Sequence, residues 1–439
     1  MEALCSYLPA SILSFLLEQG GKAIAPPTRQ SYKTAVLFAD ISGYTALCEA
    51  VASKGAGGDE YLARHLNSYF EQLVRIMSSQ GGDVFKFAGD AVIVLWPPSP
   101  TTASAEEIED LTLVARRAAQ CGLEIKRGLQ DVNLAPGITL SVKIGVGVGE
   151  VSILHVGGVF GRMEYVATGA PLLQAFGAEH HCQVPDVVVS PEAWKLISPH
   201  FEAEINDGHA FLKKNVAPLK KVNVSRAISL AMAGGTAGSG SIRSVDSSVR
   251  TEVLRQVGKY VPSAVIPFIN HHEEKWASEL RRICVLFVNL GMKETDMNEV
   301  ATNKEYISVI HEVLSAVQTA VYKYEGSLNK FLMDDKGSTL IAVFGLPPLA
   351  HEDDSIRGVL AALAICAKLH ELGFKPAIGV TTGTACKCRQ GRHSFCACLA
   401  GSPTLRLTFI LASVCIVVSQ FAAWWAVTVV VSTRCWATL

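Results

Sequence analysis

A surplus of basic residues is missing from this 439-residue chain: 39 Lys and Arg stand against 40 Asp and Glu, for a formal net charge of −1. A general nucleic-acid surface needs a basic excess with interleaved aromatics, and no such run occurs, so nucleic acid is excluded as a partner. The start, Met1-Glu2-Ala3-Leu4-Cys5, has no basic region, and Ser11 and Ser14 interrupt the apolar stretch behind it. It does not read as a signal peptide, and a cytoplasmic protein is expected. Cysteines are sparse up to Thr384 (Cys5, Cys48, Cys121, Cys182, Cys284, Cys366), with none at metal or disulfide-framework spacing. They read as reduced core residues. Acidic residues stop altogether after Glu371.

What is present repeats itself. Tyr7-Leu8-Pro9-Ala10-Ser11 returns as Tyr260-Val261-Pro262-Ser263-Ala264, and Val36-Leu37-Phe38-Ala39-Asp40 as Val285-Leu286-Phe287-Val288-Asn289. Lys86-Phe87 returns as Lys330-Phe331, and Ile144-Gly145-Val146 as Ile378-Gly379-Val380, in the same order. Two copies of one fold follow, and a chain this long with 49% hydrophobic residues can bury two cores. Between them runs Ala233-Gly234-Gly235-Thr236-Ala237-Gly238-Ser239-Gly240-Ser241, a linker composition. In each copy apolar residues fall at helical spacing: Leu62, Leu66, Tyr69, Phe70, Leu73 and Met77, then Ile310, Val313, Leu314, Val317 and Val321. A further helix near Leu111 to Ile125 is matched by Ile356 to Leu369, and a hairpin-like pair surrounds each lysine block. Strands alternating with helices give an α+β sheet with helices packed on it.

Two blocks carry chemistry. Apolar residues lead into Asp40 within Val36 to Leu47 and into Asp90 within Gly81 to Ala91, with a glycine within three residues of each carboxylate. Both acids are expected to surface together at a sheet edge, where two hard oxygen ligands suit two magnesium ions.

With the strand block Val142-Lys143-Ile144-Gly145-Val146-Gly147-Val148-Gly149 and the later Val187-Val188-Val189-Ser190-Pro191, these blocks resemble the class III nucleotidyl cyclases, specifically the soluble adenylyl cyclase type with two unlike cyclase domains in one chain. The resemblance implies two ferredoxin-like catalytic domains packed as a pseudo-heterodimer, the second incomplete. It divides the chain into an N-terminal helical segment (1–30), a first domain (31–228), a linker (229–255), a truncated second domain (256–384) and a tail (385–439). It implies conversion of ATP to cyclic AMP and pyrophosphate with two Mg2+ or Mn2+ held by Asp40, Asp90 and the Ile41 carbonyl. Ser42, Gly43, Tyr44 and Thr45 would hold the triphosphate where a strand ends and a helix begins. Asn289 has replaced the first carboxylate in the second copy, which in this family supplies the base pocket instead; Lys330 matches the lysine that donates to the adenine, with Asp335 as its acidic companion. Lys86 is the counterpart of Lys330 and resembles part of an anion site for bicarbonate, with Met333 and Arg162 as neighbouring candidates. The family's arginine there is replaced by Phe176, which argues against bicarbonate control.

The resemblance ends at Thr384. The family continues with an asparagine and, four residues on, an arginine that both contact the substrate; this chain runs Cys386-Lys387-Cys388-Arg389-Gln390-Gly391-Arg392-His393 and never shows that pair. Half of its 12 cysteines and half of its 6 tryptophans follow Ala385, the kind of break that an alternative splice or a shifted reading frame produces. A weakly active or inactive nucleotide-binding homologue that pairs with an intact cyclase chain is the alternative reading. Cys386, Cys388, His393, Cys396 and Cys398 match structural-zinc spacing poorly. Leu407 to Val431 carries no charge and has the length and hydropathy of a transmembrane helix, which would attach the chain to a membrane.

Overall fold

The computed structural model describes residues 2–5, 7–43, 47, 58–88, 91–96, 111–130, 132–135, 138–222, 247–264, 266, 279–292, 304–334, 337–390, 394–399, 406–411, 414–419 and 429–431. Two short helices open the chain, α1 (Glu2–Cys5) and α2 (Ala10–Glu18). Pro9 stands at the start of α2 with no side chain to cap it. A distant carboxylate does so instead: Asp83 accepts from the Ala10 N–H at 2.7 Å and the Ser11 N–H at 2.8 Å. Two of the helix's unsatisfied donors are thereby met, and α2 is tied to the strand that Asp83 begins.

The first copy contributes β1 (Thr28–Ser42), α3 (Gly58–Ser79), β2 (Asp83–Ala88), β3 (Ala91–Leu95), α4 (Leu111–Leu129), β4 (Val132–Ala135), β5 (Ile138–Gly157), β6 (Met163–Thr168), α5 (Ala170–His180), β7 (Val187–Val189), α6 (Pro191–Ile197), β8 (Phe201–Asn206) and β9 (His209–Asn215). Its sheet runs β2-β3-β1-β5-β7-β9-β8, with β4 and β6 also paired to β5. The second copy follows α7 (Ser247–Tyr260) with β10 (Glu279–Asn289), α8 (Lys304–Lys323), β11 (Ser327–Asp334), β12 (Gly337–Phe344), α9 (Asp354–Glu371) and β13 (Ala377–Gln390). Its sheet begins β11-β12-β10-β13, the order of β2-β3-β1-β5. Register repeats as well: Phe38 faces Ile93 and Gly145, and Phe287 faces Ile341 and Gly379. The repeat read from sequence is a repeat of strand pairing.

Alternation along β1 divides the core. Leu37, Ala39 and Ile41 face one way, onto Tyr69, Leu73 and Met77 of α3 and Val114, Ala118 and Ile125 of α4. Val36 and Phe38 face the other, into a cluster that also takes in Leu286, Ile310, Val317 and Phe331 of the second copy. The copies therefore share one apolar core, and each large aliphatic buried in it contributes about 1.5–3 kcal/mol. Cys5, Cys121, Cys182, Cys284 and Cys366 are buried thiols outside any disulfide.

Three expectations need correction. Asp40 is not on an edge strand, because β1 is paired on both sides, by β3 and by β5. The linker is shorter than 229–255, since α7 begins at Ser247 and buries Val253, Val257 and Tyr260 at helical spacing. Within Leu407 to Val431 the structure places parts of β15 (Arg406–Leu411), β16 (Val414–Ser419) and β17 (Val429–Val431), which join β14 (Ser394–Leu399) and β13 in the second sheet. Among the described residues no helix is long and apolar enough to cross a membrane. β-branched Val and Ile dominate the strands here, and such residues suit strands as well as they suit an apolar helix.

Residues from β5 to β6 reach over the second copy. His311 Nδ1 accepts from the Gly157 N–H at 3.2 Å, and the buried Gln318 accepts from the Val159 N–H at 3.2 Å while donating to the Arg162 carbonyl at 2.9 Å. Beneath this arm His155 is fully buried, stacked on Phe15 with ring centroids 4.8 Å apart and 2.9 Å from the Tyr260 hydroxyl through Nδ1. Burial lowers its pKa from 6.5 to about 4. The unfolded chain binds this proton first as pH falls, so the stabilisation is complete above pH 6.5 and is lost as pH falls toward 4. At about 1.4 kcal/mol per pKa unit the loss is about 3 kcal/mol. Urea unfolding of the wild-type chain and of His155→Phe at pH 7 and pH 4.5 should show a smaller acid loss in the variant; parallel losses would refute the assignment.

Candidate active site

Strand β1 delivers Asp40 to its far end, where the side chain is half-buried, followed by the buried Ile41 and the partly exposed Ser42. Asp40 lies opposite Ala91 on β3, and Ala91 in turn faces Ala88 on β2. Asp90 lies outside the described residues, but its chain neighbour Ala91 is the cross-strand partner of Asp40. On its other side Asp40 faces Lys143, whose amine lies 3.7 Å from Glu179.

Immediately after Ser42 the chain turns. Gly43 has φ +90°, and a Cβ there would sit 2.4 Å from the Thr139 carbonyl oxygen, so this corner requires glycine. Its carbonyl accepts from the Leu47 N–H at 3.0 Å. Tyr44 and Thr45 lie outside the described residues. The Asp40 carboxylate and the Ile41 carbonyl are hard oxygen donors of the kind magnesium takes, and they fit such an ion chemically.

In the second copy Asn289 occupies the register position of Asp40, facing Thr339 and Ala377. Its Oδ1 accepts from the Gly291 N–H at 2.8 Å, so the amide closes a local turn at the end of β10. Lys330 is fully buried, and its amine donates to the Phe87 carbonyl of the first copy. Met333 is buried in the shared core, and Asp335 lies outside the described residues.

Lys86 sits in a narrow cleft between the copies with Arg162, Glu164, Tyr165, Tyr260 and Asn329. Its ammonium is 2.9 Å from Glu164 Oε1 and donates to the Tyr165 carbonyl at 2.6 Å and the Phe331 carbonyl at 2.8 Å. Burial lowers its pKa, with Glu164 opposing that shift. Of the anion-site candidates, the structure brings Arg162 to Lys86 and leaves Met333 in the core. Phe176 packs edge-on against Phe38, centroids 4.8 Å apart, away from this cleft. Glu164 was missed in the sequence because it stands 78 residues from Lys86 with no local pattern to mark it.

Comparison with known proteins agrees with this architecture. Residues 27–214 match the family model for the adenylate and guanylate cyclase catalytic domain. The chain is 28% identical over 393 residues to adenylate cyclase type 10 of Rattus norvegicus and 26% identical over 398 residues to that of Homo sapiens, in each case over 85% of this chain. It spans 23% of the length of these relatives. A class III adenylyl cyclase-like ATP-binding protein from Pseudomonas aeruginosa shares the fold, with a TM-score of 0.53 and 13% identity over 88% of this chain and 87% of the other. Residues 27–214 thus match the adenylate and guanylate cyclase catalytic-domain family, and over most of its length the chain is similar to adenylate cyclase type 10.

Proposed function

We propose that this chain binds ATP with a divalent cation in its first copy and converts it to cyclic AMP and pyrophosphate. The pairing of Asp40, near the end of β1, with Ala91, the chain neighbour of Asp90, supports this reading most directly. Two bound magnesium ions would polarise the α-phosphate and lower the pKa of the ribose hydroxyl. Asp40, Asp90 and the Ile41 carbonyl would hold them. The triphosphate is bound by residues 42–45, which include the corner at Gly43. Lys330 reads the adenine, with Asp335 accepting from its amine, once Lys330 leaves the Phe87 carbonyl.

A second reading is favoured by a specific feature. The chain lacks the family's asparagine and arginine after Thr384, and removing one donor that stabilises transition-state charge costs about 100-fold to 1000-fold in rate. On this reading the chain binds nucleotide and regulates or pairs with an intact cyclase. Purified chain and a version carrying the family's intact end after Thr384 should be assayed for cyclic AMP from ATP with Mg2+ or Mn2+. The second is expected to turn over at least ~100-fold faster. Equal turnover would show that the missing pair is not needed, and no ATP binding by either would end both readings.

A further inference from the structure

Each lysine hairpin slips register just before its lysine: between Val84 and Lys86 in β2–β3, and between Leu328 and Lys330 in β11–β12. A bulge inserts one extra residue and re-aims the side chain beside it. Phe85 and Asn329 are the skipped residues, and the lysine that follows each reaches a carbonyl of the other copy. Lys86 ends on the carbonyl of Phe331, and Lys330 ends on the carbonyl of Phe87. Each lysine therefore holds the residue that follows the other. Exposure at the two is 6% and 0%, so neither contact is diluted by solvent.

Glu164 completes one side of this arrangement. An ammonium has three protons, and those of Lys86 are met by Glu164 Oε1, the Tyr165 carbonyl and the Phe331 carbonyl. The Tyr165 ring lies under the same nitrogen, 4.4 Å from its centroid. Glu164 is itself held by the Tyr165 N–H at 2.9 Å. Arg162 adds a second positive charge to the cleft, and its Nη1 donates to the Met163 and Lys259 carbonyls at 2.6 and 2.7 Å.

We propose that Lys86 and Lys330 form a reciprocal clamp that fixes the register of one copy on the other, with Glu164 as the positioning residue that anchors the charged end of Lys86. Phe87 faces Val92 on β3, and Val92 faces Ala39 on β1, so the register set across the interface is passed to the strand that carries Asp40. The inference goes beyond the cyclase reading and stands without it.

Hydrogen exchange of the intact chain, followed in peptides over β2 and β11, tests it. Glu164→Gln leaves a buried ammonium without its counter-charge, and exchange in β11 is expected to rise about 100-fold. The double variant Lys86→Met with Glu164→Leu removes both charges while keeping apolar volume, so the β1–β5 ladder should keep its protection. It also removes the donor to the Phe331 carbonyl, and β11 should still exchange about 10-fold faster than in the wild type. Wild-type protection of β11 in the double variant would overturn the clamp, showing that the pair only fills buried space. Should Glu164→Gln fail to fold, the double variant alone decides between the two.

Discussion

Asp40→Asn is expected to weaken metal-dependent ATP binding about 10-fold to 100-fold while leaving the fold intact. The substitution is isosteric at a half-buried strand end, so packing against Ala91 and Lys143 is retained. What is lost is a full negative charge that, on the proposed reading, would face a hard cation. Contacts to a charged group are worth about 1.5–3 kcal/mol, and each 1.4 kcal/mol is tenfold in affinity. The second copy already carries this substitution. Asn289 stands in the same register and turns its oxygen to the Gly291 N–H at 2.8 Å, which an amide does readily at the end of a strand. Titration of a fluorescent ATP analogue with and without Mg2+ against the wild type, Asp40→Asn and Asp90→Asn checks the assignment. Undiminished metal-dependent binding in both variants would remove the site.

Much of the architecture was legible because it is repeated. Val36 to Asp40 and Val285 to Asn289 are apolar runs of the same length before a polar residue, and runs of that kind become central strands with matching partners. The helices at Gly58–Ser79, Lys304–Lys323 and Asp354–Glu371 followed from the spacing of their buried residues. Side-chain direction was less legible. Lys86 and Lys330 were read as site lysines from their place in the repeat, but a bulge adds a residue without any signature in composition, and it is the bulge that sends both across the interface. Asp83 falls within the block that leads to Asp90, yet its two oxygens cap a helix more than 70 residues away. Glu164 carried no local signal at all. In the tail, hydropathy alone does not separate an apolar helix from Val-rich strands, and the strands at Arg406–Leu411 and Val414–Ser419 are the outcome.

Gly145→Ala is expected to destabilise the first copy by about 3 kcal/mol or more, whereas Gly379→Ala, its counterpart, should change stability by less than about 0.5 kcal/mol. Gly145, Gly147 and Gly149 alternate along β5 and so share one face of the strand. Helix α5 lies directly on that face. A Cβ on Gly145 would stand 1.9 Å from the Ala175 carbonyl oxygen and 2.6 Å from the Glu179 nitrogen, and one on Gly147 would stand 2.2 Å from the Pro171 carbonyl oxygen. These are backbone atoms of a helix and cannot swing aside; the helix must move as a body and carry Leu172, Ala175 and Phe176 out of the shared core. At Gly379 a Cβ would meet, among the described residues, only the Phe287 Cβ at 3.9 Å, an ordinary contact. Among the described residues, the same strand motif thus lies under a closely packed helix backbone at Gly145 and under none at Gly379. Urea denaturation of the two single variants beside the wild type measures the contrast. Equal losses at both positions would mean that the glycines serve the strand rather than the helix above it.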